Sequence, residues 1–67
     1  MKLSPMKIKI IKLLAQGYSD KEISQNLQIS PRTVQTHINS LILKLNARNR
    51  INAVAKYLKL HPNFNIL

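Results

Sequence analysis

Between Pro31 and Leu45, apolar residues recur at Val34, Ile38, Leu41, Ile42 and Leu45. At about 100° per residue these five fall within one arc of roughly 100°, the stripe of a helix that faces a core. The opposite arc carries Arg32, Thr36, Asn39, Ser40 and Leu43, flanked by Gln35 on one side and by Thr33 and His37 on the other. A merely solvated face favours Glu and Lys, which are good helix formers, whereas Thr, Asn and Ser are poorer ones kept for other reasons. The pattern therefore predicts a helix over about 31–45 whose outer face is built for hydrogen bonding.

Polar punctuation places its neighbours. Ser30 before Pro31 is a hydroxyl cap followed by a residue whose missing N–H costs nothing at the first helical position. Eleven residues earlier, Ser19 and Glu22 have capping-box spacing, which starts a second helix at Asp20 and runs it to Leu27. Gln28, Ile29 and Ser30 are left as a three-residue connection, the length found between the two helices of a helix-turn-helix, here without a glycine. Ser4 with Pro5 opens a helix that Gly17 closes, giving about 5–16. Its apolar set, Met6, Ile8, Ile10, Ile11, Leu13, Leu14 and Ala15, is wide; Lys9 and Lys12 share the open side, and Lys7 falls inside the apolar arc and must snorkel or find a partner.

The last helix is predicted over about 50–60, with Asn49 as cap and Pro62 beyond its end. Ile51, Val54, Ala55 and Leu58 form one stripe suited to packing on the first and third helices. Ala53, Tyr57 and Leu60 form a second patch, which suggests self-association. Packing of that patch under the tail 61–67, with Phe64, Ile66 and Leu67, is the alternative. The expectation is an all-α, four-helix single domain spanning 1–67, with its core in 3–60.

Charge narrows the partner. Eleven Lys and Arg against two acidic residues give +9 on 67 residues, a balance that attracts phosphate backbones or anionic membranes. Both acids, Asp20 and Glu22, sit in the first turn of the second helix, where the dipole and the cap account for them. A chain this short buries only about 60% of its unfolded surface, so its helices must share one core or a partner. Without cysteine there is no disulfide or thiolate metal site, and His37 and His61, far apart with no carboxylate nearby, make zinc improbable. No cofactor and no small-molecule ligand is expected. No apolar run reaches the length of a membrane span and no cleavable leader is seen, so the reading is a soluble, cytoplasmic domain.

Other function classes fit less well. A membrane-surface helix would align its lysines opposite Trp or Phe, and this chain has no Trp and one Phe. RNA binding favours exposed aromatics for stacking, which Tyr18, Tyr57 and Phe64 do not supply on the third helix. No nucleophile–base pair, metal or carboxylate pair can be assembled from Asp20, Glu22, His37 and His61, so no enzyme is expected. A small basic helical protein-interaction module without sequence-specific DNA binding remains the alternative.

The run from Leu3 to about Leu60, with LLAQGYS, KEIS, ISPRTVQTH and a KL pair followed by R and AV, resembles the DNA-binding domain of the LuxR/GerE (NarL/FixJ-type) family of bacterial transcription regulators. The resemblance implies that the second and third helices form a helix-turn-helix, with the third in the major groove of double-stranded DNA. It further implies a homodimer through the last helix on paired half-sites, with RNA polymerase as a further partner. By matching positions, Gln35, Thr36 and Asn39 would read bases. Lys21, Ser30, Arg32, Thr33, His37 and Lys44 would contact phosphates, and Ala53, Tyr57 and Leu60 are assigned to the dimer interface.

Three departures stand out. The family's usual arginine–glutamate pair is Met6 and Lys7 here, so that glutamate's contact is absent or reversed in sign. Asn46 follows the KL pair where glycine is frequent, and asparagine tolerates the left-handed conformation of a helix stop. The base-reading positions are all neutral, and Gln and Asn suit bidentate pairing with adenine while the Thr methyl suits thymine, so an A·T-leaning site is expected.

Overall fold

The computed structural model describes residues 3–62, which form four helices: α1 (Pro5–Ala15), α2 (Asp20–Leu27), α3 (Pro31–Lys44) and α4 (Arg50–Leu60). Each begins at the expected cap. Ser4 Oγ accepts from Lys7 N at 3.3 Å, Ser30 Oγ from Thr33 N at 3.0 Å, and Asn49 Oδ1 from Asn52 N at 2.8 Å. At Ser19 the capping box is complete: its Oγ accepts from Glu22 N at 3.2 Å, and Glu22 Oε1 accepts from Ser19 N at 2.8 Å. That backbone donor stabilises the carboxylate and holds the Glu22 pKa below its ordinary value.

Three helices stop in the left-handed region. Gly17 (φ 95) closes α1, with its N–H on Leu14 O and that of Tyr18 on Leu13 O, the pairing that satisfies the last carbonyls of a helix. Asn46 (φ 53) does the same for α3 through Asn46 N to Leu43 O and Ala47 N to Ile42 O. In the glycine-free connection the burden falls on Gln28, at φ 56. An L-residue with a long side chain there carries strain that glycine would not.

Ile10, Ile11, Ile23, Val34, Ile38, Leu41, Leu45, Ala53 and Tyr57 make the core, and α3 packs against each of the other helices. The predicted α3 stripe is thus the central seam, with Ile42 only half-buried at its edge.

The last helix sits rolled relative to expectation. Ala53 and Tyr57 are 2% and 4% exposed, whereas Ile51 is 78% exposed, Ala55 is exposed, and Val54 and Leu58 are half-buried. Of the expected packing stripe Val54 does pack against the core while Ile51 and Ala55 are turned out, and Ala53 and Tyr57 are core residues unavailable to a dimer contact; Leu60 does remain exposed. Aliphatic count favoured the wrong stripe. In the observed roll the large Tyr57 ring buries its area in the core, and two polar contacts tie α4 to its neighbours, Arg50 to Asp20 and Lys56 to the Asn46 carbonyl. The alternative packing under residues 63–67 lies outside the described residues.

Candidate nucleic-acid interface

Because Val34, Ile38, Leu41 and Leu45 face inward, α3 turns Arg32, Thr33, Gln35, Thr36, Asn39 and Leu43 to solvent, while His37 and Ser40 are half-buried on the flanks. Neighbouring side chains on this face are already coupled. Gln35 Nε2 donates to Asn39 Oδ1 at 3.0 Å, one helical turn apart. Thr36 Oγ1 donates to the Arg32 carbonyl at 3.0 Å, so its proton is committed to the helix while its oxygen can still accept. Ser30 Oγ lies 2.8 Å from Thr33 Oγ1, which ties both hydroxyls to the start of α3.

Arg50, the first residue of α4, was not singled out by the sequence. Its guanidinium spans two elements: Nη1 and Nη2 donate to the two carboxylate oxygens of Asp20 at 2.5 and 3.2 Å, and Nη2 also donates to Gln35 Oε1 at 3.0 Å. Asp20 therefore does more than complement the α2 dipole. A usable signal was present: with two acids in a chain of +9, any acid not spent on a cap is expected to hold a cation.

His37 is half-buried, and burial followed by the positive charge of Lys7 lowers its pKa from 6.5. Lys7, inside the apolar arc of α1, thus faces α3 electrostatically. Of the sequence-chosen cations, Lys21 is exposed in the first turn of α2 and Arg32 at the start of α3. Lys44 is set apart, about 18 Å along α3 from Arg32 at 1.5 Å per residue, where it lines an open cleft with Lys56 and Lys59. Among the described residues no cluster of His, Cys, Asp and Glu could hold a metal ion, and no helix is long and apolar enough to cross a membrane.

The arrangement is a short helix–connection–helix whose second member presents a neutral hydrogen-bonding array edged by cations. The family model for luxR-family bacterial regulatory proteins matches residues 1–57. The chain belongs to the luxR family. It is 40% identical over 57 residues to the nitrate/nitrite response regulator protein NarP of Escherichia coli, covering 85% of this chain and 26% of NarP. It is 36% identical over 52 residues to the response regulator protein VraR of Staphylococcus aureus, covering 78% of this chain and 25% of VraR. Among solved structures, the transcription factor GerE matches with a TM-score of 0.85 and 39% identity over 88% of each chain. The chain thus spans about a quarter of these two response regulators, and the luxR-family likeness covers all four helices up to Tyr57.

Proposed function

We propose that this domain binds double-stranded DNA sequence-specifically as part of transcription regulation, with α3 in the major groove and two copies on paired half-sites. The observation that carries the reading is the exposed, uncharged set Gln35, Thr36 and Asn39 on a helix edged by Arg32 and by the exposed N-terminal turn of α2 with Lys21. A groove about 12 Å wide admits a helix, and amide side chains match the adenine edge. Backbone N–H groups and cations at helix starts suit phosphate oxygens. A 14-residue α3 is about 21 Å long and reaches only a few base pairs, so specificity calls for two half-sites.

The face of α4 that supports pairing is exposed Ile51 and Ala55 with half-buried Leu58, in place of the buried Ala53 and Tyr57. A charge of +9 on each copy opposes association in solution, so the dimer is completed on DNA, where phosphates neutralise the repulsion. Selection of bound duplexes from a random pool, followed by competition with scrambled duplex at two salt concentrations, tests the reading. The expected product is a repeated, A·T-leaning element that outcompetes scrambled DNA. Equal affinity for both would leave a basic interaction module, and G·C at the contacted positions would remove the assignment of Gln35 and Asn39.

A further inference from the structure

Resting on the DNA-binding reading above, we propose that Arg50 is a specificity-determining positioning residue: clamped by Asp20, it orients the side-chain amide of Gln35 and, through it, that of Asn39 for base reading.

The geometry is a relay across three elements. Asp20, at the start of α2, takes two donors of the planar guanidinium, which fixes its plane. Nη2 is then aimed at α3, where Gln35 Oε1 accepts. A side-chain amide has a carbonyl end and an NH2 end. Turning Gln35 over would set its NH2 against a guanidinium that only donates, leaving donors facing donors, so Arg50 fixes which end points where. With Oε1 held, Nε2 points along the helix to Asn39 Oδ1, and the Asn39 amide is turned in its turn. After these bonds each amide keeps at least one donor proton and one acceptor lone pair. That is the complement of the adenine N7 and N6–H2 pair.

The same contacts argue against Arg50 as a simple phosphate cation. Its charge is paired with Asp20, and three of its five N–H donors, both of those on Nη2 among them, are already held by a carboxylate and an amide. Ordering Gln35 and Asn39 before DNA arrives removes the entropy otherwise lost when long polar side chains are fixed on binding.

The test uses the wild type, Arg50→Met in an Asp20→Asn background to avoid a stranded carboxylate, Arg50→Lys, and Gln35→Ala alone and combined with Arg50→Lys. Affinities are measured on the selected duplex, on its single-base-pair variants and on scrambled duplex. Removing the guanidinium should cut discrimination about tenfold at the base pairs that also lose it in Gln35→Ala, with scrambled affinity little changed. Arg50→Lys, which keeps a cation beside Asp20 and guards against loss of the fold, should lose discrimination in the same place and add nothing once Gln35 is alanine. Equal losses on selected and scrambled DNA, or a loss that persists in Gln35→Ala, would overturn the proposal. Independently of DNA, 15N relaxation of the Gln35 and Asn39 side-chain NH2 groups should show restricted motion that increases in Arg50→Lys; unchanged motion would overturn the positioning alone. A wild type with no sequence preference removes the DNA-binding reading itself, a different outcome from unchanged side-chain motion.

Discussion

The ammonium of Lys56 donates to the backbone carbonyl of Asn46 at 2.6 Å, joining the middle of α4 to the left-handed residue that ends α3. The bond satisfies a carbonyl beyond the helix and ties α4 to the end of α3 in the orientation that buries Tyr57 and leaves Ile51 exposed. A charged donor strengthens the bond and its exposure weakens it, so Lys56→Met should cost about 1 kcal/mol. For a domain of this size that lowers the melting temperature by about 4–8 °C, measurable by circular dichroism. An unchanged melt would show that the bond adds nothing to the apolar packing of α4.

Gln28 offers the opposite case, a position where substitution should stabilise. Relief of the left-handed strain, worth about 1–2 kcal/mol, exceeds the added chain entropy of glycine, about 0.5–1 kcal/mol. Gln28→Gly is therefore expected to gain up to about 1 kcal/mol in denaturant unfolding with an unchanged slope. Loss of stability would mean that the Gln28 side chain contributes more than its backbone costs.

Helix boundaries were legible because Ser4, Ser19, Ser30 and Asn49 each advertise a start through local chemistry, and Gly17 and Asn46 a stop. The exposed array of α3 was legible because Val34, Ile38, Leu41 and Leu45 define its back. Arg50 was not, since its partners Asp20 and Gln35 lie 30 and 15 residues away and no local pattern links them. The roll of α4 failed for the same reason. Two apolar stripes on one helix are equivalent until tertiary anchors choose between them, and counting aliphatics overlooked the area an aromatic ring buries.

That roll makes the pairing surface separable from the fold. Tyr57→Asp places a charge in a core site and should unfold the domain, since such a loss exceeds about 3 kcal/mol against a total stability of a few. Ala55→Glu, on the exposed face, keeps a good helix former and should leave the melt nearly unchanged. In a mobility-shift titration it should abolish cooperative binding to paired half-sites while single half-site binding persists. Retained cooperativity in Ala55→Glu would move the dimer contact off this face of α4.

His37 should give stability and DNA affinity opposite pH slopes. Burial and Lys7 lower its folded pKa below 6.5, so the folded state binds fewer protons than the unfolded chain just below that value. Stability is then unaffected by this group above 6.5, and falls as pH drops through 6.5 toward the folded pKa. A DNA phosphate beside the ring acts the other way, favouring the charged form, so binding takes up a proton and tightens as pH falls toward the lowered pKa of the DNA-free domain. In His37→Gln both slopes should flatten at fixed salt. A wild-type affinity independent of pH would remove His37 from the phosphate contacts.

Affinity and specificity should divide between Arg32 and Asn39, though both lie on one helix. Arg32 is exposed at the start of α3, and its guanidinium supplies donors and charge for a phosphate. Arg32→Ala should weaken selected and scrambled duplexes alike and reduce the slope of log affinity against log salt by about 1. Asn39→Ala should instead leave that slope intact and lose about 1–3 kcal/mol of discrimination at one base pair. Thr36→Val separates the two ends of its side chain: the hydroxyl proton is already spent on the Arg32 carbonyl, so thymine preference at its position should survive through the methyl groups. Loss of that preference would show that the Thr36 oxygen, accepting from a base, is what reads the groove.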